Sequence, residues 1–160
     1  MGVEVRKATT QDLPQLLEWV RGFHAHHQIS EPAGGLERAV TALLDDAGLG
    51  VIWIISSKCA APSVDYQPVG YLAVCYGYSI EFGGRDAFID EFYLTPTARG
   101  QGTGRAALAL IIRETHAVGI RALHLEVAHD NGSAAHLYER LGFVKREDYR
   151  LMTLLLSDER

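Results

Sequence analysis

Residues 99–105, Arg-Gly-Gln-Gly-Thr-Gly-Arg, place a glycine at every second position between a predicted strand and a predicted helix. The strand covers residues 87–94, and the helix covers residues 102–117. Another β-rich run, residues 122–127, follows the helix closely. Strands joined by a helical crossover lie parallel, so the chain must fold into a sheet that contains a parallel pair.

The rest of the pattern predicts antiparallel strands before this crossover. Strands are predicted at 3–6, 51–55 and 69–80, helices at 36–44 and 133–140, a turn-rich connection at 58–68, and a final hairpin at 143–147 and 150–156. Asp12 is expected to cap a first helix that carries Leu13, Leu16, Leu17 and Val20 on one face. The order βααβββαβαββ predicts an α/β fold with a mixed, mostly antiparallel sheet. The 160 residues suit one domain that spans the whole chain.

Composition excludes several classes of protein. Hydrophobic residues make up 48% and charged residues 22% of the chain, which is typical of globular proteins. The net charge of -5, without a basic stripe, argues against a nucleic-acid partner. The sequence shows neither a membrane-spanning apolar run nor a secretory signal. Because Cys59 and Cys75 form no disulfide framework or metal-ligand spacing, we expect a cytoplasmic protein without a metal.

The glycine-rich segment has more than one chemical interpretation. Glycines and the free N–H groups of a helix start form a cradle for phosphate, to which Arg99 or Arg105 could add a charge. A structural turn is the simplest alternative. A P-loop is excluded because no Gly-Lys-Ser/Thr follows. Residues 102–107 also match the dinucleotide fingerprint G-x-G-x-x-A, with Glu126 in the right region, although too few strand–helix units follow for a doubly wound sheet.

Two longer motifs resemble the GNAT superfamily of N-acetyltransferases. Residues 90–104 resemble its acyl-CoA-binding motif, with Arg99, Gly102 and Gly104 in the pattern (Arg/Gln)-x-x-Gly-x-(Gly/Ala). Residues 131–143 resemble its N-x-x-A-x-x-x-Y-x-x-x-G-F stretch at every named position. The predicted element order is also similar to the GNAT fold, in which a parallel strand pair is splayed around the cofactor.

The resemblance implies acetyl-CoA as co-substrate, held by backbone groups of a strand, a loop and a helix start. The implied coenzyme-binding residues are Phe92, Tyr93, Leu94, Arg99, Gly100, Gln101, Gly102, Thr103, Gly104, Arg105, Asn131, Ala134 and Tyr138. Asn131 has a second interpretation, as the cap of the short helix.

The resemblance also implies a catalytic tyrosine, Tyr138, which would protonate the leaving thiolate. Asp90, Glu91 and Glu126 are the candidate bases that would take the proton from the amine. Asp90 and Glu91 are neighbours on a strand, so only one of them faces the cleft unless a bulge intervenes. His24, His26 and His27 predict a solvated or substrate-side segment rather than a metal site.

The expected activity is transfer of an acetyl group from acetyl-CoA to a primary amine of a small molecule or peptide, by direct attack on the thioester. The alternatives are a non-catalytic acyl-CoA-binding module and, from the glycine loop alone, a dinucleotide-dependent oxidoreductase. No membrane partner is expected, and pairing into a homodimer is compatible with the resemblance.

Overall fold

A computed structural model describes residues 2–32, 34–58 and 65–156 of the chain. The helices and strands follow the predicted order as far as the short helix near residue 140. They are β1 (Val3–Lys7), α1 (Leu13–His27), α2 (Leu36–Asp45), β2 (Gly50–Lys58), β3 (Tyr66–Ser79), β4 (Gly84–Leu94), α3 (Thr103–Ala117), β5 (Ala122–Leu125) and α4 (Gly132–Arg140). In these ranges no helix has both the length and the apolar character needed to cross a bilayer.

The five strands form one sheet in the order β1-β2-β3-β4-β5. The ladders from β1 to β4 are antiparallel, and β4 pairs with β5 in parallel through the α3 crossover. The predicted mixed sheet is therefore confirmed. A doubly wound sheet would need several parallel pairs, so this topology excludes the dinucleotide-binding interpretation of the glycine loop.

The sheet carries a core on each face because its strands alternate their side chains. On one face, α1 and α2 pack with the strands; this cluster includes Leu16, Trp19, Val40, Ile54 and Tyr71. On the opposite face lie the other buried strand residues, among them Leu72, Val74 and Ile89, together with Leu108 and Ile111 of α3. Trp19 and Trp53 also belong to the core, since each is 6% exposed.

The chain forms two compact units, residues 1–126 and 127–160. The first contains the sheet and α1 to α3, and the second contains α4 and the residues after it.

The final predicted hairpin is wrong: residues 143–147 and 150–156 form no strand. Most of their apolar side chains are exposed, and those of Val144, Met152 and Leu154 are more than 80% exposed, so little burial offsets the entropy of ordering them. An isolated hairpin is only marginally stable.

The connection between β2 and β3 is shorter than predicted. Residues 66–68, expected in the turn-rich segment, already belong to β3, where they pair with the end of β2. Residues 59–64, including Cys59, lie outside the described residues.

Asp12 ties β1 to the start of α1. Its carboxylate accepts hydrogen bonds from both terminal nitrogens of Arg6, at 2.7 and 2.8 Å, and from the Thr9 N–H at 2.8 Å. It precedes α1 but makes no capping bond to that helix, contrary to the expectation that it caps it. The hydrogen bonds from Arg6 are the main cause that lowers the pKa of Asp12 to about 2.

We expect Asp12→Asn to destabilise the fold by about 1 kcal/mol at pH 7, a value typical of a partly exposed ion pair. The lowered pKa means that this contribution is present above the ordinary carboxyl pKa and disappears as the pH falls from about 4 towards 2. Urea unfolding at several pH values measures it. Asp45→Asn, at the C-terminal end of α2, is the control and should not destabilise the fold. An equal deficit at pH 7 and below pH 2 would contradict the assignment.

Candidate active site

A bulge in β4 sets the position of the two neighbouring carboxylates. Glu91 lies opposite Ala73 of β3, but Ile89 lies opposite Val74, the next residue along. Asp90 is therefore an extra residue without its own partner in the ladder. The bulge is the exception under which adjacent strand residues need not face opposite sides, so strand alternation does not decide which of Asp90 and Glu91 faces the cleft.

Glu91 is held by a hydrogen bond at each carboxylate oxygen. Nε2 of His24, in the last turns of α1, lies 2.5 Å from Oε1, and the Tyr71 hydroxyl of β3 donates to Oε2 at 2.5 Å. The Glu91 and His24 side chains are each only 14% exposed. A buried carboxylate needs such donors, because an unpaired charge is costly to desolvate. Both oxygens of Glu91 are therefore occupied, and it is poorly placed to collect a further proton.

Tyr71 is a fixed donor in this network. Its ring is fully buried and stacks on Trp19, with 6.3 Å between ring centroids and 7° between planes. Burial, followed by the negative charge of Glu91, raises the pKa of Tyr71 far above its ordinary value. The hydroxyl therefore stays protonated and keeps donating to Glu91 throughout the pH range in which proteins are studied.

Asp90, in contrast, keeps part of its surface in contact with solvent. The surrounding protein nevertheless desolvates its carboxyl group, and this desolvation raises its pKa. The charges of Glu91 and Glu126 raise that pKa further, whereas His24 lowers it. A carboxylate with a raised pKa is a stronger base than an ordinary aspartate, and it is also open to a substrate.

The ladder between β4 and β5 is short. It runs from Asp86 opposite Ala122 to Ile89 opposite Leu125, and β4 then continues to Leu94. Among the described residues, the 90–94 stretch of β4 pairs only with β3. The backbone groups on its other edge are therefore available to a ligand. Phe92, Tyr93 and Leu94, expected to bind the coenzyme, lie on this stretch, and Glu126 directly follows the end of β5.

The glycine loop follows that open strand edge after a short 3-10 helix, Pro96–Ala98. Gly100 and Gly102 have φ angles of +72° and +81°, which favour glycine, and a Cβ atom on either would meet no atom within 4 Å. Gly102 is the N-cap of α3, which begins at Thr103. The loop thus presents backbone and the positive end of a helix to open space, which suits an anionic phosphate.

Two side chains stabilise this loop by hydrogen bonds to nearby main-chain carbonyl groups. Arg99 donates from Nε to the Leu94 carbonyl at 2.8 Å, and Gln101 donates to the Thr97 carbonyl at 2.7 Å. The Arg99 guanidinium also lies over the Tyr93 ring, 5.6 Å from its centroid. Arg105 lies exposed in the first turn of α3, with Gly104 between it and Thr103. The predicted residues of this segment therefore come together around one helix start.

The second unit carries the other predicted residues. Asn131 caps α4, because its side-chain oxygen accepts a hydrogen bond from the Ala134 N–H at 3.1 Å. The capping interpretation of Asn131 is thus confirmed. Tyr138 lies on α4 with its ring edge against Phe143, 5.7 Å between centroids, and burial raises its pKa. Its hydroxyl is therefore protonated at neutral pH and able to donate a proton.

The contact of His24 with Glu91 was not predicted from the sequence. The histidine cluster was expected to be solvated or on the substrate side, but His24 is largely buried against Glu91, 67 residues away in sequence. Its neighbours His26 and His27 lie exposed, with their rings 4.9 Å apart. No group of three or more metal-ligating side chains was found among the described residues. Helical spacing puts His24 on the same side of α1 as the buried residues Val20 and Leu16, and this spacing could have indicated that His24 faces the sheet.

Known proteins are similar to this chain in both sequence and fold. The acetyltransferase (GNAT) family matches residues 41–143, a range that includes both motifs. Thialysine N-epsilon-acetyltransferase of Bos taurus is 27% identical over 144 residues, which cover 88% of this chain and 83% of that protein.

Solved structures agree with this match. An integron cassette protein from the mobile metagenome of Cole Harbour Salt Marsh is 33% identical, with a TM-score of 0.77 over 96% of this chain and 91% of its own. An aminoglycoside acetyltransferase from an uncultured soil metagenomic sample has a TM-score of 0.73 over 97% of both chains. The latter is only 14% identical, so it supports the fold alone.

We expect Asp90→Asn to raise the melting temperature at pH 7. The pKa of Asp90 is raised in the folded protein, so its charged form costs stability above that pKa, and the cost vanishes as the pH falls towards 4. Thermal unfolding across this range measures the effect. Glu91→Gln is the contrasting variant and should lower the melting temperature, because it disturbs two buried hydrogen bonds. A lower melting temperature for Asp90→Asn at pH 7 would contradict the environment described for Asp90.

Proposed function

Because this chain belongs to the acetyltransferase (GNAT) family of N-acetyltransferases, we propose that it transfers the acetyl group of acetyl-CoA to a primary amine of a small molecule. One observation carries the proposal. Asp90, the bulged residue with a raised pKa, stands where the β4 edge separates from β5 and continues towards the glycine loop. A proton acceptor and an anion cradle thus lie at the two ends of one open strand edge.

The residues present fit the coenzyme. Its pyrophosphate would lie against the Gly100–Gly102 loop and the first turn of α3, where a side chain at Gly102 would occupy open space. The open edge of residues 90–94 would hydrogen-bond the extended pantetheine arm, and its N–H groups would donate to the acetyl carbonyl oxygen. The coenzyme supplies the acetyl group as a thioester; the chain supplies backbone donors and a fixed orientation.

Asp90 is the proposed general base. An alkyl amine is protonated at neutral pH, with an ordinary pKa near 10.4, and must lose a proton before its nitrogen can attack. Of the three candidate carboxylates, Glu91 is occupied by two donors, whereas Asp90 is accessible and has a raised pKa. Glu126 is assigned a supporting role, since its charge helps to raise the pKa of Asp90.

Tyr138 is the proposed general acid. This assignment follows from the match to the family motif, and it is supported by a hydroxyl that burial keeps protonated. As the new C–N bond forms and the C–S bond breaks, Tyr138 would give its proton to the leaving sulfur. The thiol's low ordinary pKa, near 8.5, makes this help useful but smaller than that of the base.

The proposed acceptor is a cationic alkyl amine on a small molecule. The charges of Glu91 and Glu126 both act on Asp90 in the first unit, and such a group of carboxylates attracts an ammonium ion. The bovine relative is named for acetylating the ε-amine of thialysine, a lysine-like amino acid, which supports the same class of acceptor.

The proposal predicts release of free thiol from acetyl-CoA in the presence of at least one member of an amine panel. The panel contains thialysine, lysine, short polyamines, aminoglycosides and a peptide N-terminus, and omission of the amine controls for hydrolysis. We expect the lysine-like amines to react fastest.

Two glycine variants form a matched pair for this assay. Gly102 and Gly119 have φ angles of +81° and +85° with open space at Cβ, so valine strains both backbones similarly. Gly102→Val should lose acetyl-CoA binding and turnover, whereas Gly119→Val should retain both in folded samples. Coenzyme binding without transfer to any amine would favour a non-catalytic acyl-CoA-binding module, and equal loss in both variants would contradict the phosphate cradle.

The acid and the base should leave different signatures in the pH dependence of turnover. Asp90→Asn should reduce turnover about a hundredfold or more at pH 7 and recover partly towards pH 10, where more amine is already neutral. Tyr138→Phe should reduce it about tenfold, without recovery at high pH, because the leaving sulfur loses its proton donor. Initial rates at saturating acetyl-CoA measure both. A normal rate for Asp90→Asn at pH 7 would show that the base is another group or water.

A further inference from the structure

Glu91 is buried beside the proposed base, yet its two hydrogen bonds leave it no direct part in the reaction. We propose that His24 and Tyr71 are positioning residues that hold Glu91 beside Asp90, so that the charge of the His24–Glu91 pair sets how readily Asp90 accepts a proton. This inference rests on the proposed function for its catalytic meaning, but the proton affinity of Asp90 is measurable without substrate.

Geometry places the pair where it can act. Asp90 and Glu91 are adjacent at the bulge, and α1 brings His24 to the Glu91 carboxylate at 2.5 Å. The main chain holds His24 firmly, because its carbonyl accepts hydrogen bonds from the Gln28 and Ile29 N–H groups at the end of α1. Tyr71 closes the other side of Glu91, and its ring packs against those of Trp19 and Tyr93, with centroids 6.3 and 6.0 Å away.

The groups that act electrostatically on or with Asp90 come from four segments. They are Glu91 on its own strand, His24 on α1, Glu126 after β5, and Tyr71 and Cys75 on β3. The Cys75 thiol has its pKa raised to about 11, mainly by burial, and Tyr71 is also neutral at ordinary pH. The charges that act on Asp90 near neutrality are therefore those of Glu91, Glu126 and, when protonated, His24.

His24 and Glu91 act on Asp90 in opposite directions. The negative charge of Glu91 favours a proton on Asp90, and a positive charge on His24 opposes it. The acceptor's proton would thus be taken by a base whose strength depends on a helix residue that does not touch the acceptor.

The test is a pH titration of the Asp90 carboxyl carbon, followed by NMR in the free full-length protein. Glu91→Gln removes the negative charge, so the Asp90 midpoint should move to lower pH. His24→Gln keeps a side-chain donor for Glu91 but removes the cation, so the midpoint should move to higher pH. His27→Gln, on the same helix and in contact with Phe23 instead, is the control and should leave the midpoint unchanged.

Opposite shifts distinguish a charge effect from loss of structure, which would move both variants in the same direction or broaden both titrations. The acid limb of kcat/KM for the acceptor should follow the same two shifts. His24→Leu, which also removes the donor, should lower kcat further than His24→Gln, because Glu91 is then no longer held. Unmoved midpoints in both Glu91→Gln and His24→Gln would overturn the inference.

Failure of the proposed function would look different. If Asp90→Asn retained the wild-type rate and acid limb, Asp90 would not be the base, whereas the NMR midpoints would still decide whether the His24–Glu91 pair controls its proton affinity. If no amine were acetylated, the titration would again be unaffected. The two conclusions can therefore fail separately.

Discussion

The burial of one carboxylate connects the main elements of the first unit. Glu91 is only 14% exposed, so its charge is tolerable only if donors face both oxygens. One donor comes from α1 and the other from β3, and these fix the end of the helix against the middle of the sheet. The aromatic stack around Tyr71 gives that arrangement its rigidity. Removal of either donor would leave a buried charge partly unsatisfied, which costs more than the bond itself contributes.

Backbone groups and side chains line different parts of the candidate site. Backbone groups dominate on the proposed coenzyme side, at the open edge of β4 and the start of α3. Side chains dominate around Asp90, where carboxylates and an imidazole set the electrostatic field. Backbone recognition depends little on residue identity beyond the glycines, whereas the field around Asp90 changes with single substitutions. Variation among proteins of this fold should therefore concentrate on the acceptor side.

Local sequence patterns were enough to predict most of the fold and the glycine loop before α3. Alternation and helical spacing indicated the elements as far as α4, and the glycines between a strand and a helix indicated a loop whose backbone faces open space. The bulge at Asp90 had no such signal, because it arises from a register shift between β3 and β4. Helical spacing places His24 on the buried side of α1, but it could not identify Glu91, 67 residues away in sequence, as its partner. The prediction of a final hairpin was wrong because an alternating pattern alone does not provide a neighbouring strand for the hairpin to pair with.

The extra residue in β4 has a consequence for any change in the length of that strand. Ile89 faces the α3 side and Glu91 faces the α1 side only because Asp90 shifts the phase of alternation between them. A regular strand of the same length, without the bulge, would turn Glu91 towards the apolar core that contains Leu72 and Leu108, whereas deletion of Asp90 itself would leave Ile89 and Glu91 on their present sides. The strand therefore behaves as two segments in different frames. A chimaera that exchanges β4 for a strand of equal length must keep the bulge, even where the two strands look interchangeable in sequence.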